Sequence, residues 1–281
     1  MSPAPTVPPT AARLASEGRA AAAVWKREMI TFQRERMHLV ISLLQPLLIL
    51  VALGVGLGTV VPEDGSGVGY VTFLFPGVLV MAIQPPAFAT GASILWDREF
   101  GFLREMLVAP VRRESLLLGK VLAGTTIATC HGGILLLFAG LAGVPYDPLL
   151  FAGFVAVLAP ASFAMTCLGA LLAVCVPSPK SFQAATGLLL GPLVFLSGAF
   201  FPLHGLPSWL VALTALNPLT YAVDAARRVL AAHLPAGAAD GMFRGLELWG
   251  VRPPVSGELM ALTVFGAVFL LVGARRFARP D

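Results

Sequence analysis

The stretch WDREFGFLREMLVAPVRRE, residues 96–114, decides how the chain is read. It packs eight charged side chains into nineteen residues, and long apolar runs flank it on both sides. Of all 281 residues, 57% are hydrophobic and 12% are charged, whereas a soluble domain carries roughly 25% charged residues. That deficit points to a chain that crosses the membrane several times. The charged stretch is then a water-facing segment between two spanning helices.

Working outward, a second span is expected before this stretch at about 70–95 and a third after it at about 116–141. The second contains Gln84–Pro85–Pro86, where missing backbone N–H groups should kink or interrupt the helix. Such a break needs cover from neighbouring protein, so Gln84 is expected to face other helices. Lys120, near the start of the third span, is expected to snorkel to the cytosolic surface. His131 lies in the middle of an apolar run. An ionisable group there suggests function. The plainer reading, a neutral histidine hydrogen-bonded to another helix, is preferred because the spans are read as free of Asp and Glu. Gln45, Gln84 and His131 are therefore candidates for pathway or packing roles.

The first span is placed at 39–61, the fourth at 149–176, the fifth at 182–201 and the sixth at 255–272. Gly187 and Gly191 in the fifth have the spacing that lets helix backbones approach, a common pattern that identifies no partner by itself. Before the first span, Trp25, Met29 and Phe32 recur at helical spacing, with Lys26, Arg27, Arg34 and Glu35 around them. Residues 21–37 thus read as an amphipathic interfacial helix or a basic juxtamembrane flank. The Pro- and Ala-rich residues 1–20 read as a disordered cytosolic tail, and residues 276–281 at the other end as a cytosolic tail. Between spans five and six, Pro202, Pro207 and Pro218 cut residues 202–234 into pieces too short to cross, which suits re-entrant helices. Of the nineteen Lys and Arg residues, fifteen fall on the side of the two tails and the charged stretch. The positive-inside rule places that side in the cytoplasm. Cys130, Cys167 and Cys175 all lie in apolar runs and read as structural thiols.

Little catalytic chemistry is legible. The chain has no GxxxxGK[ST] phosphate loop, HExxH or GxSxG motif, and its four histidines form no metal-binding pattern. No cofactor, metal or nucleic acid is expected to bind.

Two stretches resemble the permease subunit of an ABC-2 type exporter, in the group of daunorubicin-resistance and nodulation-factor exporters. One comprises Asp97–Leu103, Leu107–Arg113 and Leu118–Lys120; the other comprises Leu196–Pro202, Leu206–Pro207, Trp209–Leu210 and Asn217–Arg227. The likeness covers about residues 20–275. It implies an all-α integral membrane protein with six transmembrane helices, a transmembrane domain over 38–275, a cytosolic amphipathic helix before it, and extracellular-side re-entrant helices between spans five and six. It also implies a bacterial cytoplasmic membrane, both termini in the cytoplasm, a second permease copy, and two copies of a partner ATPase that holds ATP and Mg2+. Asp97, Arg98, Glu99, Gly101, Leu103, Arg104, Leu107 and Pro110 would then form the ATPase-coupling segment, with a cytosolic helix over 97–108. Phe201, Pro202, Pro207, Trp209, Asn217, Pro218, Asp224 and Arg227 would form an extracellular gate, and Asp224 has helical spacing to Arg227 and Arg228. Phe102 and Arg104 depart from the small polar and acidic residues more usual in the family. The alternatives are an ion-coupled carrier, a channel, or a membrane scaffold without transport.

Overall fold

The structure is a computed structural model, and it describes residues 10–58, 68–99, 113–203, 207–234, 243, 245 and 252–277. Every regular element among these residues is helical. Lipid offers no water to backbone N–H and C=O groups, so each span must satisfy its own. In chain order the helices are α1 (Thr10–Arg34), α2 (Arg36–Gly58), α3 (Tyr70–Ala82), α4 (Gln84–Glu99), α5 (Arg113–Leu135), α6 (Pro148–Cys175), α7 (Pro179–Leu196), α8 (Ser208–Ala215), α9 (Pro218–Ala231) and α10 (Val255–Phe277). A 3-10 turn over Leu136–Ala142 extends α5. Three helices start with the same device. Asp147, Ser178 and Asn217 each cap a free backbone N–H, and the following proline occupies a first-turn position where its missing donor costs nothing.

Five stretches are long and apolar enough to cross a membrane: Leu39–Gly58, Tyr70–Glu99, Glu114–Ala142, Pro148–Cys175 and Val255–Phe277. They match expected spans one, two, three, four and six. α7 takes the place of the fifth but is not among them. It opens on Pro179, Lys180 and Ser181, with Gln183 and Thr186 close behind, and only its second half is continuously apolar. The second span is interrupted at Ile83, between α3 and α4, as the two prolines require.

α6 is the central helix and packs against α4, α5, α9 and α10. Phe154, Leu158 and Met165 on α6 are fully buried, as are Phe73, Phe75, Leu79 and Ile83 on and beside α3. Close approach of α4 to α6 depends on Gly91, because a Cβ there would strike the Gly169 carbonyl oxygen. α2 and α10 leave many apolar side chains exposed, including Val40, Leu44, Leu48, Val264 and Leu271.

Two expectations need correction. The stretch expected to be a disordered tail over residues 1–20 is helical from Thr10 onward. α1 runs alongside the first half of α5 in the same direction, with the Glu17 carboxylate accepting from Ser115 Oγ (3.4 Å) and Trp25 Nε1 donating to Thr126 Oγ1 (3.2 Å). Its runs of alanine favour helix, and the contacts on α5 hold it. The spans also contain an acidic residue. Glu258 stands in the first turn of α10 and is fully buried. It is tolerated there because Arg228 Nη1 lies 3.1 Å from its Oε1.

Candidate functional site

The second span links two polar clusters at its opposite ends, with a cavity at its break. At the α4 end, Asp97 Oδ2 is 2.6 Å from Lys120 Nζ on α5 and 3.3 Å from Arg27 Nη2 on α1. Glu28 completes the cluster, 2.9 Å from Arg27 and 3.5 Å from Lys120. Lys120 also donates to Ser93 Oγ. Lys120 therefore does not snorkel: it is only 4% exposed, and two carboxylates one helix away replace water. Burial opposes the Arg27 charge, but Glu28 and Asp97 outweigh it and hold its pKa above the ordinary guanidinium value. Arg98 reaches the Pro177 carbonyl (3.4 Å), tying the end of α4 to the α6–α7 turn. α1, α4 and α5 are thus fastened together where the charged stretch begins.

Asp97, Arg98 and Glu99 form the last turn of α4, so the expected cytosolic helix does not start separately at Asp97. Gly101, Leu103, Arg104, Leu107 and Pro110 lie outside the described residues.

The second cluster surrounds α9. Arg227 is 5% exposed, and its Nη2 donates to the carbonyls of Gly198 (2.6 Å) and Ala199 (3.2 Å). Its guanidinium lies 3.9 Å over the Phe73 ring on α3. Gly198 has φ +75°, a left-handed turn that aims these carbonyls at Arg227. Arg228 binds the Pro253 carbonyl (2.5 Å) as well as Glu258. Asp224 interacts electrostatically with Arg227, and the two arginines extend the network to α3, the turn after α7 and α10. Tyr70 Oη donates to the Phe200 carbonyl (2.9 Å) beside it.

The other expected gate residues divide by burial. Asn217 caps α9 and its Nδ2 donates to the Leu193 carbonyl (2.7 Å), while Pro218 fills the first position of α9. Pro207 precedes α8. Phe201 and Trp209 are exposed, and Pro202 is half-buried beside them. Gln45 and Gln84 meet across a cavity of about 340 Å³, which α2, the α3–α4 break and α7 enclose with Met81, Leu190 and Phe200. His131 Nε2 lies 2.7 Å from Ser42 Oγ on α2, the interhelical bond that the sequence suggested.

This arrangement suits a helical domain whose ends are fastened and whose middle encloses a cavity. Comparison with known proteins fits it. The ABC-2 type transporter family model matches residues 19–231. The chain belongs to the ABC-2 type transporter family. Among its relatives in this ABC-2 family is ycf38 of Cyanophora paradoxa, named as a transport permease. It is 32% identical over 208 residues, covering 72% of this chain and 71% of the relative. Nodulation protein J of Rhizobium leguminosarum bv. trifolii is 30% identical over 215 residues, 75% of this chain and 81% of that protein. The inner membrane transport permease YadH of Escherichia coli K12 is 27% identical over 210 residues, covering 73% and 80%.

Sequence reading missed Arg27, Glu28, Phe73 and Glu258 as members of these clusters. One signal was present: a lysine inside an apolar run needs a carboxylate, and Glu28 lies on the amphipathic helix already recognised. Nothing in the local pattern marked Phe73, whose partner is more than 150 residues away.

Proposed function

We propose that this ABC-2 permease is the membrane subunit of an exporter driven by a separate ATPase. It moves an amphipathic small molecule, drug, or lipid- or glycan-type substrate out of the cytoplasm. The observation that carries this reading is the ion-paired joint of Arg27, Glu28, Asp97 and Lys120, located where α4 runs into the charged stretch. Force applied to that stretch by an ATPase reaches α1, α4 and α5 together, and α4 carries it to the break beside the cavity. Asp97 acts as the internal anchor, while the exposed Glu99 is placed to meet the ATPase. Packed helices shift as rigid bodies, so movement concentrates at the interruption around Ile83. The cavity is the substrate route. A second permease copy completes it on the side of α2 and α7, and each copy engages one ATPase subunit. Both termini and the charged stretch face the cytoplasm of a bacterial cell. α7 crosses as the fifth of six spans despite its polar start, and α8 and α9 re-enter the membrane from outside.

The test is co-expression with candidate ABC ATPase subunits from the source genome, followed by pull-down and efflux from proteoliposomes. Export is expected only with ATP and the subunit pulled down. Lys120→Met is expected to retain pull-down while losing export. Flux that survives ATP depletion and collapses with an ion gradient would overturn the proposal in favour of a carrier.

A further inference from the structure

The cavity of about 340 Å³ at the break in the second span has an apolar wall, with Ile49, Met81, Leu190 and Phe200 around it. None of the described residues that line it is charged. The polar side chains among them are two amides, Gln45 on α2 and Gln84 at the start of α4. Gln84 is only 3% exposed, and its Nε2 has no hydrogen-bond partner among the described residues. Buried donors are nearly always paired, because an unmade bond leaves the lost hydration uncompensated. Ala82 and Pro85, beside it in the wall, have no side-chain acceptor to offer. A leucine fills a similar volume without that penalty, so packing alone gives no reason for an amide here. A half-turn about the terminal side-chain bond exchanges Nε2 with Oε1, so the donor can swing to meet a molecule in the cavity.

The chemistry of the occupant follows. An ion would shed its water with no opposite charge to receive it, which excludes carboxylates, phosphates and ammonium groups. A plain hydrocarbon would leave the Gln84 donor unmade. A neutral carbonyl oxygen answers that donor and leaves the rest of its molecule to the apolar wall, the usual division of labour in a site of this size. We propose that this cavity binds an uncharged, mostly apolar carbonyl compound whose oxygen accepts from Gln84 Nε2. That such a molecule is the exported cargo rests on the ATPase-driven reading; its binding does not, and is measured on the permease alone.

The purified full chain in phosphatidylcholine nanodiscs is photolabelled with benzophenone and with its charged counterparts, 4-benzoylbenzoate and (4-benzoylbenzyl)trimethylammonium. The excited ketone inserts into a nearby C–H bond, and mass spectrometry maps the labelled residue. Saturable benzophenone labelling is expected at Met81 or Leu190, with none there from either ion. Fluorenone is expected to block it at about fivefold lower concentration than fluorene, which has the same shape without the oxygen; fivefold is the scale of one neutral hydrogen bond. Gln84→Leu is expected to erase that ratio while fluorene blocks as before, a sign that the cavity is intact. The ketone preference is read first in the native chain, so it stands or falls even if the variant does not fold. Equal labelling by the ions, no saturable label on the cavity wall, fluorene equal to fluorenone in the native chain, or a ratio that survives in Gln84→Leu overturns the proposal. Binding that passes these tests in a permease without ATP-driven efflux upholds the site and overturns the export reading instead.

Discussion

Lys120→Met tests the joint between α1, α4 and α5 most directly. Methionine keeps the length and apolar stem of lysine and deletes only the ammonium. In the native chain that ammonium lies 2.6 Å from Asp97 Oδ2 and 3.5 Å from Glu28 Oε1, with side-chain exposures of 6%, 14% and 19%. Removing one partner of a buried ion pair costs about 3–5 kcal/mol, mainly by stranding the other charge. Here the carboxylates are partly exposed and Arg27 stays within 2.9 Å of Glu28 and 3.3 Å of Asp97. The expected loss is therefore smaller, about 2–3 kcal/mol. Asp97→Asn in the same background removes the stranded charge. The double variant should accordingly recover part of the loss, with a coupling energy of about 1–2 kcal/mol. Equilibrium unfolding in mixed micelles with increasing dodecyl sulfate, followed by far-UV circular dichroism, measures all four corners of the cycle. Additivity within about 0.5 kcal/mol is the behaviour of independent sites and would falsify the joint as a coupled unit.

Other outcomes follow from the same geometry. Arg227→Met loses two charge-assisted hydrogen bonds and the stack on Phe73. It should destabilise the chain by about 3 kcal/mol or more, and Arg227→Lys should restore only part of this; the same unfolding titration reads both. Gly91→Val places its Cβ against the Gly169 carbonyl. It should cost about 1–3 kcal/mol by overpacking, visible as a lower dodecyl sulfate midpoint, whereas Gly187→Ala, which meets nothing within 4 Å, should not shift it. Topology is checked in a background without native cysteines. Tyr146→Cys should react with an impermeant maleimide from outside intact cells, and Glu99→Cys should react only after permeabilisation. Labelling of both from one side would overturn the charge-based orientation.

The spans were legible because length and apolarity are properties of a single segment. Gln84–Pro85–Pro86 announced the break after Ala82, since proline removes local hydrogen bonds wherever it falls. What escaped was relational. Lys120 read alone suggested a snorkelling cation; only the approach of α1 to α5 brings Glu28 within reach. The prolines of residues 1–20 led the first part of α1 to be read as a disordered tail, although its alanines favour helix and Ala21 packs on Gly119. Asp224 and Arg227 could be read as a local pair at helical spacing, but nothing local showed that the guanidinium also reaches a turn 28 residues upstream. Glu258 was overlooked because one acidic residue barely changes the apolarity of a 23-residue helix.

These errors share a cause with consequences for mechanism. A buried charge must find its partner across helices, so polar residues in this chain mark joints between elements. The joint at Asp97 fastens α4 to α1 and α5, and the joint at Arg227 fastens α3 to α9 and the turn after α7. α3 and α4 are therefore held by different neighbours at their two ends. A displacement delivered at Asp97 cannot pass through the break as simple translation unless the Arg227 joint gives way. The interruption at Ile83 is the one backbone break between them, and the carbonyls freed by Pro85 and Pro86 make bending there cheaper than breaking either joint. Bending at Ile83 moves Met81 and Ala82 against Gln84 and Pro85, which line the 340 Å³ cavity on either side of the break. Under the proposed ATPase-driven reading the cavity would change shape where the two fastened halves disagree, a mechanical role for the proline pair that a straight helix of the same hydropathy could not supply.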